Sequence, residues 1–219
     1  MPNWCMTDIW FYSDNKEQLK NFYDRVVAIY EGKPAIENDF GHGWLGDYVN
    51  ALIPDLCDEV RYRGAIETIS ELDETVFSIY VMSAWAHMIQ MWLAILDRHY
   101  PDIKLHYVAI EPGFEIYAKS RDNFFAGDYE FVISLNKADN KEYDYYYQEY
   151  SFAMEDLQRV IEDCFGAEVY NKIPKDYWEL KTEEDCKKLS DYLSQYLDDS
   201  KEEFIYINKF CEEDFENAC

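Results

Sequence analysis

Apolar and polar residues alternate over DIWFYS (residues 8–13), the signature of a short half-buried strand. The period then changes. After Ser13, Leu19, Phe22, Val26, Val27 and Tyr30 recur at helical spacing, and Gly32 and Pro34 follow. This predicts a helix over about 15–31 with a stop behind it. GAIETIS (64–70) and TVFSIYVM (75–82) alternate again, and the polar ELDE between them predicts a hairpin. Ser83 is the expected N-cap of a helix over 84–99, with Trp85, Met88, Ile89, Trp92, Leu93 and Leu96 on one face and Pro101 as its end. KLHYVAI (104–110) and FEIYAK (114–119) predict strands around Glu111-Pro112-Gly113.

Strand, helix, hairpin, helix, strand is the order of a split βαβ sheet. The expected fold class is therefore α+β: a ferredoxin-like antiparallel sheet over residues 1–120 with two helices on one face. Residues 121–219 read as an acidic, tyrosine-rich α/β extension packed on it. There DYEFVISL (128–135) and FIYIN (204–208) predict strands. A helix should begin at Ser151, and Thr182-Glu183-Glu184-Asp185 has the form of a capping box for another.

Charge narrows the function classes. The chain has 45 acidic and 20 basic side chains among 219 residues, a net charge of -25. Its summed field repels nucleic acid and anionic membranes, so neither is an expected direct partner. Basic proteins are attracted. Hydrophobic residues at 48% supply a core, so the charge does not imply disorder. No apolar run reaches spanning length and no charged segment followed by an apolar run opens the chain, which points to a cytoplasmic protein. Six widely spaced cysteines form no CxxC pair, so neither a zinc site nor a cofactor is expected.

Candidate chemistry is sparse. Gly41-His42-Gly43-Trp44-Leu45-Gly46 matches the glycine spacing of a dinucleotide fingerprint, but no strand precedes it, so a tight loop placing Trp44 and Leu45 in the core is expected instead. Arg61 and Arg63 are bases in an acidic stretch, suited to an anion or to pairing with Asp58 or Glu59. With Trp44, Trp85 and Glu111 they outline a ligand pocket around 41–47, 61–63 and 111–114. His99 and His106 flank a turn without a convincing third metal ligand, and Glu111 and Glu115 bracket another turn. No catalytic residues are expected. Tyr143, Tyr145, Tyr146 and Tyr147 form the densest aromatic cluster and are candidate contact anchors, since tyrosine gives large area at low entropy cost.

The segments MPNWC, FGHGWLG, RGAIE and SAWAHMIQMWLAILDRHYPDIKLHYVAIEPGFEIYA together resemble the YubB ferredoxin-like family over residues 1–120. Where that family has a proline-rich turn after the helix-start tryptophan, this chain has Ala86-His87. The resemblance implies the fold and a plasmid, phage or prophage setting, and it carries no established activity. It also implies that Trp4 caps the core at the mouth of the first strand, with Cys5 turned inward as packing.

The expected function is a non-enzymatic interaction protein of a mobile element that docks on a basic host protein, such as a defence or nucleic-acid-processing factor, and inhibits it. The alternative is a small-ligand, nucleotide-type binding or sequestering module using the pocket above.

Overall fold

The computed structural model describes residues 3–33, 40–114, 116–136, 145–152, 154–197 and 203–214. The chain is α+β and divides into two compact units. Residues 1–125 and 211–219 form the first, and 126–210 the second. The sequence expectation kept 121–219 together, whereas Cys211–Glu213 belongs to the sheet of the first unit.

The first unit contains β1 (Trp4–Tyr12), α1 (Lys16–Tyr30), α2 (Leu45–Leu52), β2 (Gly64–Ile69), β3 (Val76–Ala84), α3 (Ile89–His99), β4 (Lys104–Glu111) and β5 (Ile116–Ser120). Strand order is β2-β3-β1-β4-β5, every neighbouring pair antiparallel. The last described strand, β9 (Cys211–Glu213), adds to β5 in parallel.

Period-2 alternation fixes the two faces of β1. Cys5, Thr7, Ile9 and Phe11 are buried, while Trp4 and Asp8 are exposed. Phe11 meets Phe22 of α1 at 5.0 Å and Trp92 of α3 at 5.4 Å, so both helices cover the same face. Leu105, Tyr107 and Ala109 of β4 and Phe77, Ile79 and Val81 of β3 join that core. On the other face Trp10 stacks on Phe125 at 5.6 Å and Tyr12 on His106 at 5.2 Å.

Two expectations about this unit are corrected. Trp4 does not cap the core. It is 50% exposed, because in-register pairing of Trp4 with Ala84 puts its odd-numbered neighbour Cys5 on the helix side. Ser83 does not cap a helix either. Strand β3 runs on to Ala84, Trp85 takes a left-handed φ of 69°, and α3 begins only at Ile89. The Ser83 hydroxyl donates to the Ala86 carbonyl at 2.8 Å, closing that turn.

The second unit holds β6 (Tyr129–Asn136), β7 (Tyr145–Phe152), α4 (Met154–Phe165), α5 (Ala167–Tyr170), α6 (Glu183–Ser194) and β8 (Phe204–Lys209). Its sheet order is β7-β6-β8, all antiparallel. Leu157 and Ile161 of α4, Cys186, Leu189 and Leu193 of α6, and Ile205 and Ile207 of β8 make its core. The Thr182–Asp185 capping box forms as the sequence predicts. The helix expected from Ser151 starts at Met154, since Ser151 and Phe152 complete the pairing of β7 with β6.

Candidate ligand cleft

A cleft of about 1450 Å³ opens at the β2–β3 end of the first unit. Its walls are mostly apolar. Trp4 comes from β1, Tyr80 and Met82 from β3, Trp44 and Tyr62 from the connections beside β2, and Trp85, Ala86 and Met88 from the segment before α3. Four of the five residues the sequence nominated for a pocket, Trp44, Arg61, Arg63 and Trp85, line it together. The fifth, Glu111, does not. It is 1% exposed at the end of β4, where its carboxylate accepts the Gly113 N–H at 3.1 Å.

Local backbone demands explain how the rings arrive there. Gly43 sits at φ 79°, and its carbonyl accepts the Ile66 N–H of β2 at 2.8 Å. Only then does Trp44 bridge to Ala65 at the start of α2. Gly46, two residues on, has no Cβ where the Trp44 ring lies, so the indole folds over the helix. The expected tight loop is present, but it sends only Leu45 into the core and leaves Trp44 half-buried on the cleft wall. Phe40 stacks on Trp44 at 4.6 Å, and Tyr62 meets it edge-on at 6.0 Å.

On the opposite wall, hairpin register places Gly64 against Ser83, and the Ala84 N–H donates to the Arg63 carbonyl at 2.9 Å. The Arg63 guanidinium then lies 4.5 Å from the Trp85 ring centre. A cation over an indole contributes about 0.5–1 kcal/mol at exposed sites, and Trp85 is 43% exposed. Among the described residues neither Arg61 nor Arg63 pairs with a carboxylate, although Asp58 and Glu67 stand on the same lining. The expected pairing of these arginines with Asp58 or Glu59 does not form. Aromatic walls with two guanidinium groups that lack a carboxylate partner among the described residues suit a planar ligand that carries negative charge.

The remaining candidates lie elsewhere. Tyr145, Tyr146 and Tyr147 belong to β7 of the second unit, in register with Asn136, Leu135 and Ser134. Tyr143 and Glu115 lie outside the described residues. His99 contacts the Leu52 carbonyl at 2.7 Å, whereas His106 sits between the Tyr12 hydroxyl at 3.1 Å and the Ser120 hydroxyl at 2.8 Å. No metal-ligating cluster occurs among the described residues, and no described helix is long and apolar enough to cross a membrane.

One polar constellation was not legible in the sequence. The Tyr107 hydroxyl donates to Glu213 Oε2 at 2.6 Å, and His87 Nε2 lies 3.3 Å from the same oxygen. The hydrogen bond from His87, seconded by that from Tyr107, holds the Glu213 carboxyl below the usual carboxylate range against the opposing effect of burial. Burial, with the Glu213 carboxylate, pushes the Tyr107 phenol far up, so it remains a donor. Residues from α3's approach, β4 and β9 are remote in sequence, and neither helical nor strand periodicity links them.

Cys5 answers as packing. It is fully buried, its Sγ lies 3.6 Å from the Thr7 hydroxyl, and burial pushes its thiol up to about 11. Among the five described cysteines, alkylation of the folded protein by iodoacetamide at neutral pH is expected to reach exposed Cys211 first and Cys5 and Cys186 last, both being buried thiols raised to about 11. Peptide mapping over time reads the order. Labelling of Cys5 ahead of Cys211 would contradict the packing role.

No family model, no curated protein and no solved structure matches this chain. Function is therefore argued from the cleft.

Proposed function

We propose that the first unit is a ferredoxin-like module that binds a small planar anion, of nucleotide type, in the cleft between Trp44 and Trp85. The strand order β2-β3-β1-β4 with both helices on one face supports the fold reading. One observation carries the ligand reading. Two arginines, Arg61 and Arg63, neither paired with a carboxylate among the described residues, share one aromatic cleft of a strongly acidic chain. The rings offer stacking surfaces, and each guanidinium offers a forked pair of donors to a phosphate or carboxylate.

A second reading is favoured by the net charge of -25: an acidic interaction protein of a mobile element, docking on a basic host protein through its tyrosine-rich segment. One experiment separates the two. Tryptophan fluorescence is titrated with the four nucleoside monophosphates and with anilinonaphthalene sulfonate, a planar aromatic anion. Saturable quenching is expected for at least one probe. Each charge-assisted hydrogen bond is worth about 1.5–3 kcal/mol, so Arg61→Ala or Arg63→Ala should weaken it roughly 10- to 100-fold. Failure of every probe to bind, together with salt-sensitive association of the chain with a basic host protein, would put the interaction reading first.

A further inference from the structure

The cleft wall between β3 and α3 is short and strained. Trp85 holds a left-handed φ of 69°, a conformation that costs a non-glycine residue free energy and persists only where its surroundings enforce it. Three contacts pin this segment. The Trp85 N–H donates to the Asn3 carbonyl at 2.9 Å, the Ser83 hydroxyl donates to the Ala86 carbonyl at 2.8 Å, and His87 reaches Glu213 at 3.3 Å. Trp85, Ala86 and Met88 line the cleft. His87 does not; it is 6% exposed and is packed against the Tyr107 ring at 5.0 Å.

We propose that Glu213, carried on the C-terminal strand β9, is a positioning residue for the cleft: through His87 it holds the Trp85 wall in its binding shape, so that docking of β9 sets ligand affinity.

His87 supplies the first reason. Among the described residues its Nδ1 is buried without a hydrogen-bond partner, and the contact with Glu213 is the one polar contact its ring makes. Without Glu213, the imidazole would be a buried polar ring with neither nitrogen satisfied. Such a group moves toward water or toward another partner. His87 lies between Ala86 and Met88, both on the cleft wall, so its movement carries the wall with it.

Strand β9 supplies the second. Among the described residues it pairs with β5 over three residues, Ala118 to Ser120, extended by the Arg121 N–H to the Glu213 carbonyl at 3.1 Å. So short a strand at a sheet edge depends on its side chains for attachment. Lys119 lies 3.9 Å from Glu212, Arg121 lies 3.1 Å from Asp214, and Tyr107 and His87 converge on Glu213. Of these, only Glu213 connects the strand to the cleft wall. The device is thus a strap whose state the cleft can report.

The affinity part of this proposal rests on the ligand reading above; the structural part does not. The test uses the full chain labelled with 5-fluorotryptophan, whose six fluorine signals include Trp85, assigned by its loss in Trp85→Phe. Glu213→Ala is expected to shift the Trp85 signal while leaving Trp178, in the second unit, in place. Glu213→Gln, which keeps an acceptor oxygen, should restore most of the wild-type position. Arg121→Ala, which releases Asp214 without touching His87, should leave Trp85 unmoved. The anilinonaphthalene sulfonate Kd should rise several-fold in Glu213→Ala. If Glu213→Ala does not fold, the reading moves to His87→Phe: the Trp85 signal should shift there, and adding Glu213→Ala, now with no imidazole left unpaired, should shift it no further. A Trp85 signal unmoved by Glu213→Ala, or moved equally by Arg121→Ala, would overturn the proposal. So would a further shift on adding Glu213→Ala to His87→Phe. Because the fluorine signal needs no ligand, a cleft that binds none of the probes leaves this test in force.

Discussion

Replacing Trp92 by alanine is expected to cost the first unit about 3–5 kcal/mol, the range for truncating a fully buried large aromatic. Trp92 is fully buried at the centre of the helix-covered face, 5.4 Å from Phe11, 5.3 Å from Tyr48 and 6.5 Å from Phe22 by ring centres. Its removal opens a cavity where α2, α3 and β1 meet, and packed cores relax only partly into such space. The indole also carries a liability. Its Nε1 is buried without a partner among the described residues, and an unsatisfied buried donor costs about 1–3 kcal/mol. Trp92→Phe removes that donor and keeps most of the ring, so it should cost far less than alanine. Chemical unfolding decides it, followed by a probe in the first unit because two units can unfold separately. A lower midpoint at unchanged slope is expected for alanine. Equal losses in the two variants would refute the indole argument, and an unmoved midpoint in Trp92→Ala would place Trp92 outside the core.

The second large effect is expected at Gly43. Alanine at φ 79° costs about 1–2 kcal/mol for the left-handed backbone alone. A Cβ here would also stand 2.5 Å from the Ile66 carbonyl, a backbone atom of β2. Relieving that overlap means breaking the Ile66 N–H to Gly43 bond, so the loop must let go of the strand. Trp44 follows directly, and the cleft should lose its stacking wall. Gly41 provides the control. It sits at φ 86° with open space around its Cβ position, so Gly41→Ala carries the backbone cost without the overlap. Thermal unfolding should rank Gly43→Ala well below Gly41→Ala, and probe binding should fall only in the former. Equal melting temperatures would mean that the Gly43–Ile66 contact does not position the loop.

Element types were largely legible in the sequence, and the reason is period. Leu19, Phe22 and Val26 recur at helical spacing and are buried in α1, while Phe77, Ile79 and Val81 alternate and are buried in β3. The Thr182 cap was equally local, since three residues contain all of its geometry. Where a segment is apolar at nearly every position, period fails. The alternation read over DIWFYS is lost toward Trp4 in WCM, so Cys5 was expected inward as packing, but Trp4 was expected on the core rather than turned out. The pairing of β1 with β3 decided it.

What the sequence determined by itself is therefore local: the α+β class, the strongly periodic helices and strands with their buried faces, and a strongly acidic composition. The tertiary structure decided what meets what. Arg63 and Trp85 are brought together by the register of one hairpin, in which Gly64 faces Ser83. Glu213 reaches His87 only because a three-residue acidic segment, with no strand pattern of its own, finds the free edge of β5. Both contacts join residues far apart in the chain. Short-range periodicity encodes which face a residue prefers, but partners across a sheet are chosen by backbone pairing, and that is settled only when the whole chain closes.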